Sequence, residues 1–162
     1  MSVLITTEIL GEHPVLTSVN TKLDLVNAWV RSGDGLVGFG EYKKFEVKGK
    51  DRFNEAKTWW EERVSEFKIQ NNVHGSGTGP ILFSSFSFDP KERSVLVIPE
   101  IIIGQKNGKS WITWIGDNKQ PDLEKSILHQ LVEKSLGRKA QFQSKHGSLK
   151  LAAQLMQLHQ IN

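Results

Sequence analysis

The chain has 162 residues, 38% of them hydrophobic and 24% charged, with no cysteine and a formal net charge of +3. A chain of this size buries roughly 70% of the surface its unfolded form exposes, so it needs neither disulfide nor metal to hold a core. The missing cysteines exclude thiolate catalysis, cysteine-ligated zinc and a disulfide framework, and they favour a reducing compartment.

The opening MSVLITTEILGEHPV lacks a basic lead and carries Glu8 and Glu12 in its apolar stretch, so it does not read as a secretory signal. Leu4 to Leu10 is rich in β-branched residues and predicts a strand, with a polar turn over Gly11 to Pro14. Asp24 to Arg31 predicts a second strand. Ser32 to Gly35 supplies turn chemistry, and the chain re-enters an extended pattern through Leu36, Gly38, Phe45 and Val47, which reads as a hairpin.

From Asp51 to Ile69 the period changes. Phe53, Ala56, Trp60, Val64 and Phe67 recur at steps of three and four, placing them on one stripe of an α-helix capped by Asp51, with Glu61, Glu62, Arg63 and Glu66 on the wet side. The run NNVHGSGTGP predicts a loop, and PILFSSFSF predicts a strand running into Asp89-Pro90. SVLVIPEIIIG is nearly continuous apolar sequence broken by Pro99, which implies an edge position or a bulge. Asn107-Gly108 between it and WITWIG is a type I′ hairpin signal, because both central residues need positive φ.

Beyond Gln120 the pattern is helical. Pro121 suits a first turn, Leu123, Ile127, Leu131 and Leu136 form a stripe, and Gly137 ends it; a second helix over Ser148–Gln160 carries Leu151, Leu155 and Leu158 on one face. Two parts result: a strand-rich α+β core segment, 1–116, and a basic, helix-rich segment, 117–162. The charge follows the same division, with 14 basic against 15 acidic residues up to position 117 and 7 against 3 after it. The basic residues of the second part are scattered among apolar positions as on a solvated helix face, so no nucleic-acid partner is expected. No apolar run reaches the roughly 18 residues of a membrane span, and the expected location is cytoplasmic, without a membrane partner.

The candidate motifs for chemistry are incomplete. Gly33-Asp34-Gly35-Leu36-Val37-Gly38 matches G-x-G-x-x-G, but strand-like sequence follows where a dinucleotide site needs a helix N-terminus. Gly104 to Ser110 resembles a P-loop with one residue too few between its glycines, and reads as a hairpin tip. His74 to Gly79 offers amides for an anion nest without a basic partner, and reads as a flexible connector. His13, His74, His129, His146 and His159 show no metal-ligand spacing. No serine sits in G-x-S-x-G. Trp59-Trp60 reads as core and rim packing, because neighbours on a helix point about 100° apart.

Four blocks in one order are more specific. AWVRSGDGLVGFGEYKKF, DRFNEAKTWWEE, GTGPILFSSFSFDP and SVLVIPEIIIGQKNGKSWITWIG resemble the amino-terminal section of isochorismate synthases, collinearly from Asp24 to about Gly116. The resemblance fades between Asp117 and Gly147. It implies membership of the chorismate-utilising enzymes and a mostly antiparallel sheet with helices packed on one face. It also implies that the full-length enzyme converts chorismate to isochorismate with magnesium, a lysine activating water and an opposing glutamate protonating the departing hydroxyl.

In that family the lysine lies in a K-V-V-L-[AS]-R stretch, which this chain does not contain; its closing SLKLAAQLMQLHQIN resembles the helix leading up to it. No catalytic, cofactor-binding or metal-binding residue is therefore assigned, and no cofactor is expected in this segment. The expected partner is the carboxy-terminal catalytic half of the same enzyme. Self-association through an unpaired sheet edge is also expected. The competing expectation is a small standalone binding or regulatory module without catalysis.

Overall fold

The computed structural model describes residues 2–11, 16, 26–71 and 73–116. The expected helices beyond Pro121, the basic segment 117–162, the turn at Glu12–Pro14 and the start of the second strand at Asp24–Leu25 lie outside these residues. The described part is sheet-dominated and mixed α/β: nine strands and one helix, in the order β1 (Val3–Gly11), β2 (Val26–Arg31), β3 (Asp34–Phe39), β4 (Lys43–Val47), α1 (Arg52–Glu66), β5 (Phe67–Asn71), β6 (Phe83–Ser85), β7 (Ser94–Ile98), β8 (Ile101–Lys106) and β9 (Lys109–Ile115). They form a six-stranded sheet, β2-β3-β8-β9-β1-β5, and a three-stranded sheet, β4-β7-β6. Every pairing is antiparallel except β1 with β5.

Two hairpins follow from turn chemistry. Asn107 and Gly108 sit at φ 51° and 77°, the pair of positive angles that a type I′ turn requires, and close β8 onto β9 with Lys106 opposite Lys109. The turn after β2 is tighter than expected: Ser32 and Gly33 form it, at φ 53° and 87°, and Asp34 already belongs to β3.

The apolar run around Pro99 is neither an edge strand nor a bulge. It is two strands in two sheets. β7 ends at Ile98 in the small sheet, Pro99-Glu100 crosses over, and β8 starts at Ile101 between β3 and β9 in the large one. Proline fits there because the crossing residue has no ladder hydrogen bond to donate. The lack of alternation in Ile101-Ile102-Ile103 has the same origin: all three are at most 2% exposed, because β8 is covered on both faces.

α1 begins after Asp51, whose carbonyl accepts from Glu55 N at 3.1 Å and whose carboxylate accepts from Asn54 Nδ2 at 2.6 Å rather than from a backbone amide. Its inward stripe differs from the expected one. Phe53 and Val64 face solvent, whereas Arg52 and Ala56 are buried and Trp59 and Trp60 half-buried. Arg63 also turns partly inward, held by Glu66 at 3.1 Å. The helix stops one residue before Phe67, which is extended at φ −83° and ψ 128° and pairs with Val3; the gain from completing a sheet edge overrides the helical spacing of its side chain.

One side of α1 joins the two sheets into a common core. Trp59 and Trp60 pack against Ile5, Ile98, Ile102 and Ile115, while Ala56 and Trp59 meet Val47 and Leu96 of the small sheet. Trp59 stacks on Phe45 at 5.2 Å between centroids and Trp60 meets Phe67 edge-on at 6.3 Å, so both indoles serve packing. Among the described residues no helix is long and apolar enough to cross a membrane.

Candidate functional site

The strand that follows β3 and the strand that precedes β8 change sheets side by side. β3 passes into β4 through Gly40–Tyr42 while β7 passes into β8 through Pro99-Glu100. Three backbone hydrogen bonds tie the crossings together: Glu100 N to Phe39 O at 3.0 Å, Tyr42 N to Ile98 O at 2.8 Å, and Ile115 N to Glu100 O at 2.9 Å. The result is one long antiparallel ribbon bent at a corner. The Glu100 carboxylate folds over Gly40, which has φ 72° and no room for a side chain beneath it. Partial burial pushes the Glu100 carboxyl above the ordinary carboxylate value.

A desolvated carboxyl at a strand crossing is the described group with the strongest claim to chemistry. It stands without the company a catalytic centre needs: among the described residues, no three or more histidines or carboxylates come close enough to hold a metal ion. That donor set does not fit a magnesium ion, and no catalytic step is routed through one here. Glu46, by contrast, is an exposed carboxylate held below its ordinary value by hydrogen bonds from Arg93 at 2.8 Å and from Lys44, on the outer face of the small sheet.

The second polar cluster lies under the glycine loop after β5. Thr7 and Thr113, buried on neighbouring strands, share a hydroxyl hydrogen bond of 2.9 Å, and Thr7 Oγ1 also accepts from Gly79 N at 3.3 Å. Trp111 Nε1 donates to Gly77 O at 3.0 Å, and Thr78 closes a turn onto Gly75 O. The expected flexible connector is therefore a clamped loop. Its Gly79 amide, which an anion nest would need, is already donated to a threonine.

The remaining sequence candidates resolve as structure. The G-x-G-x-x-G run is the β2–β3 turn and strand, and the P-loop-like run is the β8–β9 hairpin tip. His74 is exposed in the loop; His13, His129, His146 and His159 lie outside the described residues. Glu100 escaped sequence reasoning, although a signal existed: a lone carboxylate next to a proline, inside an otherwise apolar run of ten residues.

The described buried polar side chains are taken up by the scaffold. Gln105 accepts from Leu16 N at 3.0 Å and donates to Gly33 O at 2.7 Å, and Arg52 reaches Gly49 O at 3.0 Å and Ser87 O at 3.4 Å. Ser94 Oγ accepts from Ser87 N at 3.0 Å. No curated protein and no solved structure matches the chain. The family described as "Chorismate binding enzyme" matches residues 20–161, a span that includes the stretch after Asp117 where the resemblance read from the residues fades. The chain belongs to this family of chorismate-utilising enzymes.

Proposed function

We propose that the chain is the amino-terminal, sheet-building section of an isochorismate synthase serving menaquinone or siderophore synthesis, and that by itself it does not turn over chorismate. Its task in this reading is mechanical: a rigid two-sheet support, with helices on one face, against which a carboxy-terminal catalytic half is held. The observation that carries the reading is the family match over residues 20–161, joined to the collinear blocks that resemble isochorismate synthases within it. The disposition of the described buried polar groups is in keeping with a support, since Thr7, Thr113, Gln105, Arg52 and Ser94 are bonded within the scaffold. The lysine stretch that activates water in the family is not among these 162 residues, so the general base and the magnesium-holding glutamates come from the other half.

The test is a chorismate turnover assay with magnesium on the 162-residue chain and on a version extended through a K-V-V-L-[AS]-R stretch. Isochorismate is expected only from the longer protein. Formation of isochorismate by the shorter one refutes the supporting role, and formation of a different chorismate product by the longer one refutes the isochorismate assignment.

A further inference from the structure

The small sheet has two edges of opposite character. β4, on one side, carries Lys43, Lys44 and Glu46, the charged residues by which natural sheets keep an edge from pairing with another chain. β6, on the other, carries none. From Ile81 to Phe88 the sequence ILFSSFSF contains no charge and no proline, and among the described residues β6 is paired on one side alone, with β7. Ser84 and Ser85 are small and exposed, so nothing on the strand shields its backbone. Beyond them Phe88 is fully exposed and Phe86 is 37% exposed, and Phe86 packs at 4.7 Å on Phe53, itself 54% exposed at the start of α1.

Ser87 N bonds back to Ser94 Oγ on β7. Successive amides of an extended chain point to opposite sides, so the amides of Phe86 and Phe88 point away from the sheet, beside the exposed rings. An occupant of this edge must offer an open strand, apolar side chains and no charge opposite them. A second copy of the same strand satisfies all three at once.

We propose that the chain self-associates through β6, two copies pairing this strand antiparallel about a two-fold axis so that the two small sheets become one continuous six-stranded sheet with the Phe53, Phe86 and Phe88 clusters closing its sides. The contact is isologous and stops at two copies. It is independent of the chorismate chemistry.

Sedimentation velocity of the full chain over two decades of concentration tests it, with Ser85→Lys, Phe88→Lys and, on the far edge of the large sheet, Trp29→Lys. All three positions are exposed, and far-UV circular dichroism confirms that each variant folds. The wild type is expected to pass from monomer to dimer. Ser85→Lys and Phe88→Lys, which place like charges together across the axis, are expected to raise the dissociation constant about tenfold or more; Trp29→Lys is expected to leave it unchanged. A monomer at every concentration overturns the proposal. So does a dimer broken by Trp29→Lys but not by Phe88→Lys, which would assign pairing to β2, and so does growth beyond the dimer.

Discussion

Gly104 on β8 stands opposite Trp111 on β9, and the indole lies across it so closely that a Cβ there would overlap the ring. Gly104→Ala therefore forces the indole off its seat. Overpacking of this kind costs about 1–3 kcal/mol. A displaced indole also loses the hydrogen bond from Nε1 to Gly77 O, worth about 1 kcal/mol net. Stiffening of the unfolded chain by alanine returns about 0.4–1 kcal/mol. The net expected loss is about 1–3 kcal/mol, read from urea unfolding followed by tryptophan fluorescence and far-UV circular dichroism. In a Trp111→Leu background the space over Gly104 is open, and Gly104→Ala should become neutral or stabilising, a coupling of about 1–3 kcal/mol between the two sites. Equal cost in both backgrounds would mean that the indole is not what the glycine accommodates, and the account of the clamped loop would fail with it.

Three further outcomes follow from buried polar groups. Thr113→Val should cost about 1–2 kcal/mol in the same unfolding assay, and Thr7→Val more, because Thr7 Oγ1 bonds both Thr113 and the Gly79 amide; the reverse order would contradict the geometry. Arg52→Met should lose about 2 kcal/mol by leaving the carbonyls of Gly49 and Ser87 without their charged donor, and an unchanged midpoint would show those bonds to be idle. The raised Glu100 carboxyl means that the folded state prefers the protonated form, so its contribution is full below about 4.5 and is lost as pH rises through the higher folded value. Glu100→Gln should accordingly be more stable than wild type at pH 7 and equal to it near pH 4, as judged by thermal midpoints; a variant less stable at pH 7 would reverse that sign.

The sequence made local features legible and left relational ones hidden. Asn107-Gly108 could be read because two positive φ angles leave few residue choices, and the helix start at Asp51 could be read from the change of period. The end of α1 could not: Phe67 continues the helical spacing, and its strand pairing with Val3 depends on a segment more than sixty positions upstream. The buried side of α1 was misjudged for a related reason. Arg52 counts as polar in a pattern, yet the carbonyls of Gly49 and Ser87 make its burial favourable, while Phe53 finds its partner in exposed Phe86. Pro99 marked an interruption correctly, but whether a proline means an edge, a bulge or a change of sheet is decided by pairing partners that the local sequence does not name. Family membership was legible in the order of four blocks. Glu100 was not, since its environment is created by Gly40, far away along the chain.

The place of β1 has a consequence for biosynthesis. It lies inside the large sheet, flanked by β5 and β9, and Thr7 meets Thr113 across 106 positions of chain. At a translation speed of about 5–20 residues per second, β1 waits on the order of ten seconds after leaving the ribosome before β9 exists to receive it. The hairpin of β8 and β9, by contrast, closes within microseconds once it emerges. Nascent chains thus carry an unsatisfied Val-Leu-Ile-rich strand through most of their synthesis, which makes that strand a natural client for a holdase chaperone.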